Sequence, residues 1–135
     1  MTGEQEKKRA WLHRAKTIEK YVQALQEKVV QYKVFQTLCN SDDLDSLELL
    51  QELEREIQEQ QKQAEELLAV RESIKKAISY LHDDELKEIL TRHYLTYETI
   101  ESVIENMYYG RRTIQKKHLK ALDKIMMPNE SEMKL

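Results

Sequence analysis

Seven side chains near the start of the chain, Trp11, Ala15, Ile18, Val22, Leu25, Val29 and Tyr32, recur at spacings of 4, 3, 4, 3, 4 and 3. That rhythm is the seam of a coiled coil, because two turns of an α-helix bring the same face round again, whereas a strand would need strict alternation. It predicts one helix from about Glu4 to Leu38. Leu50, Leu53, Ile57, Ala64, Leu67, Ile74, Ile78 and Leu81 form a second stripe of the same kind, on which Gln60 and Arg71 also fall, and its middle, Gln58 to Gln63, is poorly apolar. Between the stripes, Asn40-Ser41-Asp42-Asp43 offers a residue tolerant of the left-handed conformation and then helix-capping side chains. So short a connection favours antiparallel neighbours and hence a long helical hairpin.

Composition closes off the alternatives. With Gly 2, Pro 1 and Phe 1 in 135 residues, the chain lacks the turn formers and aromatics of a sheet protein. Charged residues at 35% against 40% hydrophobic leave enough apolar surface for thin seams but not for one thick core. No run reaches the roughly 18 apolar residues of a membrane span, and Met1-Thr-Gly-Glu-Gln-Glu-Lys-Lys has no signal-peptide core, so a cytoplasmic location is expected and no membrane partner. The single cysteine, Cys39, can form neither an internal disulfide nor a thiolate-rich zinc site.

The net charge of −3 conceals three blocks: +4 over residues 1–39, −9 over 40–90 and +2 over 91–135. The first helix can therefore lie along the acidic second one. Leu44, Leu47, Leu49 and Leu68 fall off the main seam, and self-association through them, as a dimer or higher homo-oligomer, is expected. Within the last block, residues 110–124 carry Arg111, Arg112, Lys116, Lys117, Lys120 and Lys124 against Asp123 alone, a local +5 that suits an anionic partner.

The last third reads as three short helices: Asp83 to Tyr94, Thr99 to Met107 and Gly110 to Met126. Asp83 and Thr99 are good N-caps, and Gly110 precedes the basic helix. In that helix Ile114, His118, Ala121, Leu122 and Ile125 share one face, which leaves Arg111, Arg112, Gln115, Lys116, Lys120 and Lys124 on others. A short helix, a tight turn and a basic helix are what a helix-turn-helix needs mechanically, since one helix braces across the DNA backbone while the next enters the major groove.

Tyr94-Leu95, Thr99, Val103, Met107, Tyr109, Arg111-Arg112, Ile114 and Ala121-Leu122 stand in a familiar order. Over residues 80–126 the chain resembles the −35-reading region of bacterial sigma factors, and most nearly the small sigma-like regulators of Gram-positive phages of the ArpU/RinA type. The resemblance implies double-stranded DNA as the partner, activation of phage late genes, contact with RNA polymerase as one possible route, and the bacterial host cytoplasm as the location. It places base-facing positions on Arg112, Gln115 and Lys116, with Arg111 at the helix start; Lys120 and Lys124 can reach phosphates. The family has Gly where this chain has Tyr97 and Tyr108, Ala at Ile104 and Ser at Gly110. A turn tyrosine at position 108 would then need a positive backbone angle uncommon for an aromatic. Tyr109 is expected in the core.

The expected fold class is all-α: a long antiparallel helical hairpin (coiled coil) over 1–81, a three-helix helix-turn-helix domain over 82–127 and a flexible tail over 128–135. His82-Asp83-Asp84-Glu85 has ligand residue types, but consecutive residues at a helix start point in different directions, so no metal site is expected. His13, His93 and His118 are isolated, and no phosphate loop, nucleophile elbow or paired catalytic motif occurs, so neither an enzyme nor a cofactor is expected. Two rivals to the transcriptional regulator are a small terminase subunit, which also joins a DNA-binding motif to helical assembly elements, and a coiled-coil adaptor whose basic end binds an acidic protein.

Overall fold

A computed structural model describes residues 1–39 and 44–128. It is all-helical, with no strand among the described residues: α1 (Gly3–Leu38), α2 (Leu44–Ser79), α3 (Asp84–Leu90), a π-helical turn (Thr91–Leu95), α4 (Ile100–Met107) and α5 (Arg111–Lys124). None of these helices is long and apolar enough to cross a membrane. The expected cap-and-stop sequence at Asn40 to Asp43, and the tail from Asn129 onward, lie outside the described residues.

The start of α1 is fixed by its own side chains. Thr2 Oγ1 accepts from the Gln5 backbone N–H at 3.1 Å while Gln5 Oε1 accepts from the Thr2 N–H at 2.8 Å, a reciprocal capping box. Asp83 caps α3, its carboxylate accepting from the N–H groups of Glu85 and Leu86 at 2.9 and 3.3 Å. Thr99 caps α4 by accepting from the Ser102 N–H at 3.1 Å.

Two boundaries differ from those expected. The helix predicted from Asp83 to Tyr94 leaves the α form at Leu90 and widens, with the Thr96 N–H reaching back five residues to the Thr91 carbonyl at 3.0 Å. The Arg92 carbonyl accepts twice, from the Thr96 hydroxyl at 2.8 Å and from the Glu98 backbone N–H at 2.9 Å, which ties the end of the wider turn to the segment after it. The basic helix, predicted to reach Met126, ends at Lys124, because Ile125 is extended (φ −70°, ψ 142°) and tucks its side chain into the core.

The chain forms two compact units, Ile18–Ala69 and the remainder, Met1–Thr17 with the chain from Val70 onward. The first turns of α1 and the end of α2 thus fall in the same unit as α3, α4 and α5. Trp11, Leu12 and Ala15 from α1 and Val70, Ile74 and Ile78 from α2 are buried, as are Leu86, Ile89, Leu90, Val103, Ile114, Leu122 and Ile125 from the C-terminal part. Polar contacts tie the same pieces. Gln5 Nε2 donates to Asp123 Oδ1 at 2.8 Å, Lys8 Nζ to the Asp123 carbonyl at 3.2 Å, and the Tyr97 hydroxyl to the Ala15 carbonyl at 3.5 Å.

In the unit Ile18–Ala69, the buried apolar side chains are Ile18, Val22, Leu25 and Val29 from α1 and Ile57 and Ala64 from α2. Gln36 Nε2 donates to Glu54 Oε2 at 3.2 Å, while Leu25 lies across from Ala64, so the two stretches run in opposite directions. Leu50, Leu53 and Leu67, expected on the seam, are only half-buried.

Because Trp11 is 2% exposed in the unit that holds α3 to α5, Trp11→Ala is expected to destabilise that unit by about 3–5 kcal/mol. Denaturant unfolding followed by a probe on α5 measures it. A cost under about 1 kcal/mol would mean that the indole packs against nothing the C-terminal helices need.

Candidate nucleic-acid interface

α4 and α5 are joined by Tyr108, Tyr109 and Gly110 alone. Three residues can reverse a helix pair this tightly only if one of them leaves the right-handed region, and Tyr108 does so (φ 60°, ψ 28°), ending α4 in a left-handed cap. Its ring is 93% exposed and contributes no packing that would offset the backbone cost. Tyr97 is the other non-glycine residue with positive φ (62°) among the described residues, but its ring is half-buried and its hydroxyl reaches α1. Gly110 then opens α5 in extended geometry without a side-chain cap.

The angle between the two helices is held by a small core in which Ile89, Val103 and Ile114 are buried and Ile104, Met107 and Tyr109 pack against them. Around it runs a polar frame. Glu85 Oε2 accepts from the Tyr109 hydroxyl at 3.0 Å and from Lys117 Nζ at 2.7 Å, and that ammonium lies 5.2 Å from the Tyr109 ring centroid. The Lys117 bond, followed by that from Tyr109, holds the Glu85 carboxyl below its ordinary value, and the same bond raises Lys117. Tyr109 is thus half-buried rather than fully in the core.

A second carboxylate, Glu98, stands just ahead of α4. It accepts from Asn106 Nδ2 at 2.8 Å, the Ser102 hydroxyl at 3.1 Å and Arg92 at 3.2 Å, and the Asn106 bond contributes most to lowering its pKa. Arg92 also pairs with Glu88 at 2.9 Å, one helical turn back. His93 Nδ1 donates to the Glu98 carbonyl at 2.8 Å.

Beneath α5, the His118 ring stacks on Tyr94, and its Nε2 shares a 2.8 Å hydrogen bond with the Tyr94 hydroxyl. Burial, then His93 and Arg9 nearby, push the His118 imidazole down to about 4; burial pushes Tyr94 up to about 12.

Against this frame the six residues singled out from sequence, Arg111, Arg112, Gln115, Lys116, Lys120 and Lys124, are all solvent-exposed on α5. Arg112, Lys116, Lys120 and Lys124 follow at four-residue steps opposite the buried Ile114, His118 and Ala121, a stripe about 18 Å long at 1.5 Å per residue. Arg111 is partly engaged, donating to Glu101 on α4 at 3.1 Å. Lys117 is spent on Glu85, and the charge of Lys120 acts on the nearby Asp83 carboxylate.

The internal contacts were harder to foresee. The Glu88 and Arg92 pair is visible as an i, i+4 spacing, and the Thr2 to Gln5 capping box as a T-x-x-Q signature, whereas Tyr94 and His118 lie 24 residues apart with no local pattern. His82, Asp83, Asp84 and Glu85 do not converge; Asp83 caps a helix and Glu85 faces Lys117. No group of three or more metal-ligating side chains gathers among the described residues. No protein-family model, curated protein or solved structure matches the chain.

Two predictions follow from this geometry. His118 has its pKa lowered on folding, so the unfolded chain binds the extra proton and stability falls as pH drops from the unfolded value of 6.5 toward about 4. Over that window the loss should approach about 3 kcal/mol, and His118→Gln should abolish the part of it between pH 6.5 and 5, before the carboxylates titrate. Thermal melts across pH 7 to 4.5 read this out; an unchanged slope in the variant would show that another group is responsible.

Tyr108→Gly should be neutral or raise stability by up to about 1 kcal/mol, since glycine adopts the left-handed angle without the Cβ penalty. Equilibrium unfolding tests this, and a marked loss would mean that the exposed ring has an unseen packing partner.

Proposed function

We propose that α4, the Tyr108-Tyr109-Gly110 turn and α5 act as a helix-turn-helix, that α5 enters the major groove of double-stranded DNA, and that the protein is a sequence-specific transcriptional regulator. The observation that carries this reading is the division of labour on α5: Lys117 is paired with Glu85, while Arg112, Gln115, Lys116, Lys120 and Lys124 stand in solvent on one continuous helix. A helix about 10–12 Å across fits a major groove about 12 Å wide, with its first two turns at the base edges. Arg112 and Lys116 can bond guanine O6 and N7, and Gln115 can bond adenine N6 and N7. Lys120 and Lys124, further along, reach phosphates.

The three-residue turn and the positive φ at positions 97 and 108, where the sigma-like phage regulators carry glycine, support the same reading. In this account the helix pair of Ile18–Ala69 is the coiled-coil assembly element, and activation of phage late genes, by contact with RNA polymerase or by remodelling the promoter, is the role that the resemblance implies.

Selection of bound duplexes from a random library by the full chain tests the proposal and supplies a site. On that site Arg112→Ala should cost about 1–3 kcal/mol of binding and little on random duplex, because base-edge bonds form only on the right sequence. Lys124→Ala should weaken both duplexes alike and reduce the salt slope by about one. Failure to enrich any sequence, or equal losses on both duplexes for Arg112→Ala, would reject α5 as the reader; enrichment of a packaging site would favour the terminase subunit.

A further inference from the structure

Tyr97 and Tyr108 flank α4, and both hold the left-handed backbone, with φ of 62° and 60°. Residues other than glycine, asparagine and aspartate rarely sit there, because the Cβ crowds a neighbouring carbonyl oxygen. At Tyr97 the fold uses the side chain that it strains: the ring is half-buried and the hydroxyl donates to the Ala15 carbonyl of α1 at 3.5 Å. At Tyr108 it does not. That residue is 93% exposed, the most of any large hydrophobic residue among those described. Glycine or asparagine would close the turn with less strain, so neither packing nor backbone geometry accounts for an aromatic at position 108. A side chain held in solvent on a strained backbone points to a use outside the folded chain.

The place of the ring selects what it meets. Tyr108 ends α4 and stands three residues ahead of Arg111, the first residue of α5. From Asn106 to Leu122 the chain holds no acidic residue, and Arg111, Arg112, Lys116, Lys117 and Lys120 fall within that stretch. Glu101 and Glu85 approach from other helices, bonded to Arg111 and Lys117. The surroundings of the ring therefore attract a polyanion. In a helix-turn-helix one helix braces on the DNA backbone and the next lies in the major groove, so the turn between them crosses the rim of the groove, where deoxyribose and phosphate are on offer. A tyrosine suits that rim, having an apolar ring face for the sugar and a hydroxyl that donates to a phosphate oxygen.

We infer that Tyr108 is a backbone contact of the DNA complex: its ring packs on a deoxyribose at the rim of the major groove and its hydroxyl donates to the adjoining phosphate, which fixes how deeply α5 enters. The inference rests on the helix-turn-helix reading of α4 and α5, and adds to it a residue that contributes affinity without charge and without reading sequence.

Equilibrium titration of the full chain with the selected duplex and with a scrambled duplex of equal length, each at several salt concentrations, tests it. Tyr108→Gly and Tyr108→Asn, which suit the left-handed angle and remove the ring, should each weaken binding to both duplexes by about 10-fold. Tyr108→Phe keeps the ring and should lose only about 3-fold. In all three variants the slope of affinity against salt should stay that of the wild type, because a neutral side chain releases no counterion; this separates Tyr108 from Lys124. Thermal melting should show no loss of stability in Tyr108→Gly or Tyr108→Asn, whereas Tyr97→Asn should melt at a lower temperature, since its ring is packed. Tyr108→Gly and Tyr108→Asn variants that bind both duplexes like the wild type, a loss confined to the selected duplex, or a salt slope that falls with the affinity would each overturn the assignment and leave the helix-turn-helix reading intact. A wild type that binds neither duplex would overturn that reading and this contact with it.

Discussion

Because Ile114, His118, Ala121 and Leu122 must all leave water together, α5 has no rotational freedom: turning it by even one residue, 100°, would expose that face and bury lysines in its place. What the helix shows to solvent is therefore the complement of what the core requires. The core in turn is assembled from distant pieces, with Trp11 and Leu12 at one end of the sequence and Ile74 and Ile78 in its middle closing over helices that supply only short apolar stretches themselves. α3 and α4 are 7 and 8 residues long, well below the length at which a helix persists alone in water, so their geometry is borrowed from this packing.

Charge is distributed by the same constraint at closer range. Glu85 gathers an ammonium and a phenol, and Glu98 gathers an amide, a hydroxyl and a guanidinium. By pairing with Lys117, Glu85 offsets one of the positive charges of α5, while Glu98 holds Arg92 in the turn before α4. The total of −3 is consequently a poor guide to the charge carried by α5 itself, where Arg111, Arg112, Lys116, Lys117, Lys120 and Lys124 stand against Asp123 alone.

Much of this was legible in the residues. The 4, 3 rhythm located the buried positions Ile18, Val22, Leu25 and Val29, Asp83 and Thr99 announced their helices as caps, and a glycine-demanding turn was predicted at Tyr108. The division into units was not, for a physical reason: the apolar rhythm runs unbroken through Thr17 and Ile18, and periodicity states that a face is buried without stating against what. The contacts of Gln5 with Asp123 and of Tyr94 with His118 are long-range choices of the folded chain. The widened turn at Thr91–Leu95 is closed by backbone bonds from Thr96 to Thr91 and from Glu98 to Arg92, which leave no signature in the residue types.

Trp11 carries a practical consequence. It is the single tryptophan of the chain, and it is buried in the unit that holds α5, with none in Ile18–Ala69. Its emission is therefore a spectroscopic label, already built into the protein, for the state of that one unit. Circular dichroism, by contrast, sums the helices of both. Recorded on the same sample, the two signals resolve whether the units melt as one cooperative body or in sequence, without any residue being changed.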